Sequence, residues 1–313
     1  MRPITYKFNS TINQELKRLE SYLQAHKYHT DTIKNYINCT GIYLVWLDEN
    51  SYMAQEMTYQ LVIEFIQDIK QKYTISHTQR IIIAIRHYHE SIQSEINPVT
   101  GIYIKGHRKS MINDLTDYAK LKDCYDTYET LSDRDKRNKI ILGIFLYQAI
   151  TTSEIDQLEP KYIRLTEGKI WIPGSGDSQS RTLDLEAAQL HELQEYLLII
   201  RPRMLSQITA KRSGRKPKTI DPVITEKLFF SERGSASIKQ SLHHAFLKVR
   251  KQYPTIKSPK SIRNTVIAEW LKTIDVRKVQ YMAGHRYVSS TERYNVMNLQ
   301  ELKDSLNKYH PMQ

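Results

Sequence analysis

The stretch MAGHRYVSSTERYN, residues 282–295, places a histidine and a tyrosine nine residues apart near the carboxyl end of a basic chain. His285 follows Gly284 in a predicted turn, and Tyr294 lies in the helix predicted after that turn. A single histidine or tyrosine in such a position is usually structural, because its ring packs while its polar atom finds a partner. The function of the pair therefore depends on what neighbouring segments contribute.

The preceding segment SPKSIRNTVIAEWLKT, residues 258–273, predicts a helix that begins after Ser258, since proline is tolerated in a first helical turn. Lys260 and Arg263 lie three residues apart near its start, where unpaired backbone amides also point outward. These groups favour a phosphate site, although two exposed basic residues at a helix end would give the same pattern. The apolar face of this helix comprises Ile262, Val266, Ile267, Trp270 and Leu271.

Length, composition and charge narrow the class of protein. A chain of 313 residues is long enough for two domains. A composition of 40% hydrophobic and 26% charged residues is typical of a folded protein. The chain carries 46 Lys and Arg against 34 Asp and Glu, a formal charge of +12. Such a charge favours a polyanionic partner, with nucleic acid ahead of an acidic membrane.

The two cysteines, Cys39 and Cys124, show neither metal-ligand spacing nor a disulfide framework, so we expect no metal site and a reducing compartment. The first twenty residues lack the apolar core of a signal peptide, and no stretch of the chain is long and apolar enough to span a membrane. We therefore expect a cytoplasmic, nucleoid-associated protein without membrane contact.

Apolar residues recur at helical spacing over residues 13–92, which predicts about four helices in a compact bundle. Thr30 or Asp31 is predicted to cap the second helix and Ser76 the fourth, because their side-chain oxygens can accept from free amides of a first turn. Prolines, glycines and the basic GHRK then indicate a connection between two domains. The predicted segments are a helical domain, a linker and a second domain: 1–105, 106–127 and 128–313.

The second domain begins with a predicted helix within residues 131–148, capped by Ser132 or Asp133. Residues 162–186 alternate between apolar and polar types and turn on glycines, which predicts a small antiparallel hairpin or three-stranded sheet with its tip at 174–180. Further helical periodicity follows. The predicted fold class is mainly α: a helical bundle followed by an α-rich domain with one small antiparallel sheet.

A basic loop, AKRSGRKPKT at residues 210–219, separates two predicted helical segments of this domain. A solvated flexible loop and a phosphate-contacting loop both fit this composition. Its candidate DNA-binding residues are Lys211, Arg212, Arg215, Lys216 and Lys218.

These motifs, in this order, resemble the tyrosine recombinases, the phage-integrase and Xer-like family. The K/H-x-x-R helix, M-x-G-H and TERY follow the catalytic region of that family, where GHRYVSSTERYN is similar to "LGHSSISTTERYTHV". Residues 146–165, LYQAITTSEIDQLEPKYIRL, look like "TGLRISELLALKWSDI". The amino-terminal bundle is similar to the family's SAM-like core-binding domain.

The resemblance implies that Tyr294 attacks a DNA phosphodiester and forms a 3′-phosphotyrosyl bond, with no cofactor. It implies Arg263 as a phosphate-binding arginine, Lys260 at a position where the family has His or Lys, and His285 beside the helix that carries the nucleophile. Double-stranded DNA would be the partner. By resemblance to the family, a carboxyl-terminal helix within residues 298–310 would join protomers into an oligomer on the DNA.

Two positions depart from the family pattern. Thr151 stands where the family has its first arginine, and Ser175 stands where the family has a hairpin lysine. Arg181 matches the arginine that follows this lysine, and we expect it to contact DNA. We also hypothesise that another cation substitutes for the missing ones, with three candidates: Lys139, Lys169 and Arg212.

Three functions remain open at this point. The first is a site-specific recombinase, integrase or transposase. The second, motivated by Thr151 and Ser175, is a catalytically weakened accessory subunit that binds DNA beside a competent homologue. The third is an unrelated helical nucleic-acid-binding or scaffold protein.

Overall fold

The computed structural model describes residues 9–94, 96–105, 115–175, 178–210 and 221–294. The chain divides into two compact units, Met1–Ser110 and Met111–Gln313, and each unit has its own hydrophobic core. The fold is mainly α with one small antiparallel sheet, as predicted.

The first unit is a bundle of four α-helices with a short 3₁₀ turn between the second and third. Its core consists of apolar side chains that recur at helical spacing, such as Leu19, Tyr43, Phe65 and Ile85. The helices are α1 (Ser10–Ala25), α2 (Thr30–Glu49), α3 (Tyr59–Lys72) and α4 (Ile75–Ser91).

The predicted caps of this bundle were wrong. α2 is capped by His29, whose ring nitrogen accepts from the amide of Asp31, so Thr30 already lies inside the helix. The N-cap of α4 is Thr74, which places Ser76 in the first turn. Both helices begin one or two residues earlier than predicted, because extended backbone at His29 and Thr74 starts the first turn there.

The second unit carries the sheet and the remaining helices. The sheet has the order β1-β2-β3 with antiparallel pairing, and Ile170 of the middle strand faces Ile163 on one side and Leu183 on the other. Residues 288–294 form a further helical segment. The strands are β1 (Ile163–Arg164), β2 (Lys169–Ile172) and β3 (Arg181–Asp184). The helices are α5 (Tyr118–Asp126), α6 (Asp133–Gln148), α7 (Thr152–Gln157), α8 (Ala187–Glu195), α9 (Arg201–Ala210), α10 (Pro222–Glu226), α11 (Lys239–Gln252), α12 (Pro259–Trp270) and α13 (Val276–Ala283), with a π-helical turn at Tyr196–Ile200.

The core of this unit surrounds α6 and α12. Residues 140–146 of α6 and 261–268 of α12 are buried without interruption. A helix that is buried on all sides lies at the centre of its domain, because every face meets another element. These two helices therefore form the rigid frame that positions the candidate site at the end of α6.

The predicted linker, 106–127, contains a core helix at its carboxyl-terminal end. Residues 118–126 form α5, in which Leu121, Cys124 and Tyr125 are buried in the second unit. The segment is short, and only three apolar residues lie on one face. Its helical periodicity is therefore too weak to distinguish a helix from an ordered linker. None of the described helices is long and apolar enough to cross a membrane.

We expect Ser132→Ala to destabilise the second unit by about 1 kcal/mol, because Ser132 caps α6 by accepting from the amide of Asp135 at 3.2 Å. Thr74→Ala is the matched control, since Thr74 occupies an N-cap without a side-chain hydrogen bond. Urea unfolding followed by circular dichroism measures both changes. Equal effects of the two substitutions would contradict the role of Ser132 as a cap.

Candidate active site

Arg263 lies at the centre of the site and is held by two backbone carbonyls. α12 begins at Ser258, whose hydroxyl accepts from the amide of Ser261, so that Arg263 falls in the second turn. Its guanidinium is about nine-tenths buried and donates to the carbonyls of Ala149 and Ala283. Burial lowers the pKa of Arg263, but an arginine keeps its charge even so.

Ala149 presents its carbonyl to this arginine because α6 ends there in the left-handed conformation. Its φ is 47°, and the residue is fully buried at the helix end. α7 starts two residues later with Thr151 as its N-cap. The sharp turn between the two helices thus brings the end of α6 against Arg263.

Glu154 and Arg181 form a fully buried ion pair beside Arg263. Nη1 and Nη2 of Arg181 donate to the two carboxylate oxygens of Glu154 at 2.6 and 3.3 Å, and both side chains are 0% exposed. Arg181 Nε also donates to the carbonyl of Met282 at 2.8 Å. Burial alone would raise the pKa of Glu154, but the hydrogen bonds and charge of Arg181 bring this pKa below its ordinary value. The carboxylate is therefore ionised.

The carboxylate of Glu154 also joins α7 to the tip of the hairpin. The amide of Thr151 donates to it at 2.7 Å, while Thr151 Oγ1 accepts from the amide of Glu154, which together form a capping box. Ser178 Oγ donates to the same carboxylate at 2.9 Å. Ser178 is linked in turn to Ser175, whose hydroxyl lies 3.0 Å from that of Ser178. We call these two hydrogen-bonded residues the serine ladder.

The turn after α13 packs directly on this ion pair. Gly284 has φ of +69°, and a Cβ at this position would collide with the guanidinium of Arg181. Its carbonyl accepts from the amide of Gln179 at 3.0 Å, and Ser178 forms a β-bridge with His285. The hairpin tip and the glycine–histidine turn are thus joined along their backbones.

His285 and Tyr294 lie side by side within this frame. Their rings are stacked, with centroids 6.1 Å apart and an interplanar angle of 18°. His285 Nδ1 lies 2.8 Å from Thr291 Oγ1, and Tyr294 Oη donates to Asn264 Oδ1 at 3.0 Å. Tyr294 is only 6% exposed. A nearby residue, Thr291, therefore holds the ring of His285, whereas a distant one, Asn264, holds that of Tyr294.

The electrostatics of the two rings follow from burial and from neighbouring arginines. Burial lowers the pKa of His285 to about 4, and the charges of Arg263 and Arg181 act in the same direction, so the imidazole is neutral at pH 7. Burial raises the pKa of Tyr294, while the charges of Arg263 and Arg293 oppose this rise. The phenol is protonated at neutral pH, and nearby cations favour its ionised form.

The structure brings together three of the predicted catalytic residues, Tyr294, His285 and Arg263. Lys260 is exposed in the first turn of α12 and forms no hydrogen bond or ion pair with any residue that the structure describes. The residues of the predicted basic loop, Lys211, Arg212, Arg215, Lys216 and Lys218, lie outside the described part of the chain.

Arg181 does not occupy the predicted DNA-contacting position. Its side chain is fully buried, and Glu154 together with backbone carbonyls occupies its donors. This burial could not be predicted from the sequence, because Arg181 is the first residue of β3 and its partner, Glu154, lies in a different segment. Thr151 and Ser175, the two positions that depart from the family, contribute hydroxyls to the capping box and the serine ladder described above.

Of the three proposed substitute cations, Lys139 and Lys169 can be located in the second unit, whereas Arg212 lies outside the described part of the chain. Lys139 Nζ pairs with Glu192 at 3.2 Å and lies 5.1 Å from the ring centroid of Tyr125. It precedes Ala149 by ten residues, which is about 15 Å along a helix axis. Lys169 is exposed at the start of β2, opposite Asp184. Among the described residues, Arg181 is a cation whose charge acts directly on Arg263.

Sequence reasoning missed Glu154, Asn264 and Thr291 as parts of the site. Glu154 was detectable, because T-x-x-E is the signature of a capping box and its position matches the glutamate of the family motif. Thr291 and Asn264 carried no such signal. Among the described residues, no cluster of histidine, cysteine or carboxylate side chains could hold a metal ion.

A family model described as "Phage integrase family" matches residues 115–301, which is more than half of the chain. The protein belongs to the phage integrase family. This membership confirms the resemblance inferred from the sequence motifs.

Curated relatives match along most of their length. Tyrosine recombinase XerC of Natranaerobius thermophilus is 25% identical and covers 83% of this chain and 85% of the relative. Tyrosine recombinase XerD of Chlorobaculum tepidum is 23% identical, with 94% and 96% covered. Among solved structures, XerH recombinase bound to palindromic difH shares 18% identity over 97% of this chain and 90% of that one, with a TM-score of 0.70. The Tn1549 transposon integrase has a TM-score of 0.59 at 14% identity, with 89% and 94% covered. These two structures share the fold of this family member.

We expect Gly284→Ala to destabilise this family member by about 2–4 kcal/mol. The added methyl group meets the buried guanidinium of Arg181, and alanine at φ of +69° adds backbone strain of about 1 kcal/mol. Gly168→Ala is the control, because Gly168 has φ of +63° and no atom within 4 Å of the added methyl group. Thermal unfolding should show a much smaller loss for the control. Similar losses for both variants would show that backbone strain, and not the contact with Arg181, dominates.

We expect the stability of the second unit to fall as the pH decreases from about 6.5 to about 4. The folded-state pKa of His285 is about 4, below its usual 6.5, so the unfolded chain binds a proton first in this window. The contribution of His285 is complete above pH 6.5 and is lost as the pH approaches 4. Comparing unfolding of the wild type and His285→Gln across this range measures it. Parallel curves for the two proteins would contradict the burial of a neutral imidazole.

Proposed function

We propose that this protein is a site-specific DNA recombinase, acting as an integrase or transposase, with Tyr294 as its nucleophile. The observation that carries the proposal is the convergence of Tyr294, His285 and Arg263 in one buried site, although Arg263 comes from a different segment than the other two. Membership of the phage integrase family supports it.

The proposed reaction conserves the phosphodiester bond energy. Tyr294 Oη attacks the scissile phosphorus, its bond to phosphorus forms as the bond to the 5′-oxygen breaks, and the phenolic proton passes to water. The departing 5′-oxygen takes a proton from a general acid, and Lys260 is the candidate because its ammonium is exposed at the start of α12. A free 5′-hydroxyl can then attack the phosphotyrosine and restore the DNA strand.

Arg263 is the proposed phosphate contact. A guanidinium has five N–H donors, and two of those of Arg263 reach backbone carbonyls of Ala149 and Ala283. The two anchors fix the orientation of the group, so that its remaining donors are preorganised for the oxygens of a pentavalent phosphate. His285, neutral and held by Thr291, would complete the wall of the site beside the nucleophile.

The replacement of the family's first arginine by Thr151 affects the expected rate of DNA cleavage. An arginine contact missing from the transition state costs on the order of a hundredfold to a thousandfold. In our proposal Arg181 does not replace this contact, because Glu154 balances its charge, and it contributes by holding Glu154 and the hairpin tip in place. The site would then be slower than the family pattern and still able to form the covalent bond.

Double-stranded DNA is the proposed partner, bound by more than one protomer. The formal charge of +12 supports a polyanionic partner. Among structures with the same fold, XerH is bound to difH and a lambda integrase dimer is bound to a COC′ core site. We further propose that residues 1–105 bind DNA as a core-binding domain, that residues 128–313 catalyse, and that the protein is associated with the nucleoid.

Covalent trapping tests the proposal. In nicked duplexes with randomised sequence around the nick, cleavage releases the short fragment that carries the new 5′-hydroxyl. Without this hydroxyl the strand cannot be rejoined, so a phosphotyrosyl complex accumulates and survives denaturing electrophoresis. We expect this complex with the wild type and none with Tyr294→Phe. Tyr287→Phe is the control, because Tyr287 lies just before the same helix and is 67% exposed.

Two other outcomes would overturn the enzymatic proposal. Site-selective DNA binding without any covalent complex would indicate the accessory subunit instead. A complex that survives Tyr294→Phe would move the nucleophile to another residue.

A further inference from the structure

We propose that Asn264 is a positioning residue that orients the hydroxyl of Tyr294 for attack on the phosphate. This inference rests on the proposed recombinase function and adds a residue to its machinery. The sequence motifs assign no role to Asn264.

The contact itself is buried and specific. Tyr294 Oη donates to Asn264 Oδ1 at 3.0 Å, and each residue is 6% exposed. It is the one hydrogen bond of this hydroxyl among the residues that the structure describes. A side-chain amide stays neutral and does not act as a base at neutral pH. Asn264 can therefore orient the hydroxyl but cannot remove its proton.

The position of Asn264 on α12 explains how it would act. Asn264 directly follows Arg263, the proposed phosphate contact, within the uninterrupted buried segment 261–268. Arg263 is in turn anchored to two backbone carbonyls. Two consecutive residues of one rigid helix thus hold the nucleophile and, in our proposal, the phosphate. Their separation is fixed by the covalent geometry of a single helical turn.

A second constraint acts on the ring of the nucleophile. The stacked ring of His285 limits the plane of the Tyr294 ring, and Thr291 holds His285. Stacking leaves the direction of the hydroxyl hydrogen free, whereas the hydrogen bond to Asn264 sets it. Because the hydrogen points at Asn264, the lone pairs of Tyr294 Oη are directed elsewhere and are available to an electrophile. Preorganisation of this kind raises the rate of the chemical step more than the affinity for substrate.

A purely structural role is the competing explanation, since any buried phenol benefits from a partner. The two roles differ in what they alter. A structural role changes stability and leaves the cleavage rate of the folded protein intact. A positioning role lowers the rate of cleavage at unchanged DNA affinity, and it is restored by a side chain that keeps the acceptor oxygen.

The test compares Asn264→Leu, which removes the acceptor at similar volume, with Thr265→Val. Thr265 is the next residue of α12, is also buried, and hydrogen-bonds Ser261 and Thr116 instead of the nucleophile. We expect Asn264→Leu to slow formation of the covalent complex about 10–100-fold at saturating DNA, on duplexes recovered from the trapping experiment. Its dissociation constant for the same duplexes should stay within about twofold of the wild type. Thr265→Val should retain the wild-type rate.

The variant Asn264→Asp separates orientation from packing. Its carboxylate keeps an acceptor oxygen in place, so cleavage should recover near pH 8 to within about tenfold of the wild type. Its rate should fall in acid as the new carboxyl takes up a proton, a dependence that the wild-type amide cannot show. A rate for Asn264→Leu equal to the wild type would overturn the proposal while leaving Tyr294 as the nucleophile.

A measurement without DNA keeps the inference testable on its own. In protein labelled with ¹³C at the tyrosine Cζ, the Tyr294 signal is assigned by its loss in Tyr294→Phe. We expect this signal to shift in Asn264→Leu and to stay in place in Thr265→Val. An unchanged signal in Asn264→Leu would show that the hydrogen bond is absent, which overturns the proposal. Failure of the wild type to form any covalent complex would overturn the proposed function and this inference together.

Discussion

The buried ion pair between Glu154 and Arg181 is the interaction on which the site depends. It joins the first turn of α7, the start of β3 and the turn after α13, three segments that come from distant parts of the chain. Both charges are removed from water, so each needs the other. Removing one member of such a pair typically costs about 3–5 kcal/mol. Together with Ser178 and Gly284, the pair sets where the hairpin tip meets the histidine turn.

This arrangement also decides the charge state of the site. Arg181 neutralises Glu154, so the carboxylate leaves much of the field of Arg263 uncompensated at the two aromatic rings. That field and burial together keep His285 neutral, whereas at Tyr294 the same field opposes the effect of burial. The charge of Arg263 thus favours a neutral imidazole and also favours negative charge on the phenolic oxygen, although burial still raises the pKa of Tyr294. A transition state with a phenolate attacking a phosphate has the charge distribution that this environment stabilises.

The two positions that depart from the family pattern, Thr151 and Ser175, form hydrogen bonds that stabilise local structure in this chain. Thr151 supplies a hydroxyl to the capping box of α7, and Ser175 belongs to a serine ladder that leads to Glu154. Neither side chain carries charge. The net positive charge near the centre of the site comes from Arg263 of α12, because Glu154 neutralises Arg181 of β3. Family membership and altered motif positions are therefore compatible, because the charge of the site depends on where side chains converge.

The sequence by itself determined the mainly helical fold, the presence of one small antiparallel sheet and the family. Helical periodicity, the alternation over residues 162–186 and the GHRYVSSTERYN motif are local patterns, and local patterns can be read without knowing what packs against them. The same motif identified Tyr294 and His285 as candidates, and the segment SPKSIRNTVIAEWLKT identified Arg263.

Only the tertiary structure decided that Arg181 is buried, that Lys139 lies far along α6 from the site, and that Asn264 holds the tyrosine hydroxyl. The physical reason is that burial and hydrogen-bond partners are properties of pairs of distant residues. Arg181, at the start of β3, is buried because it pairs with Glu154, which lies 27 positions away in the sequence. No pattern within the strand itself contains that information.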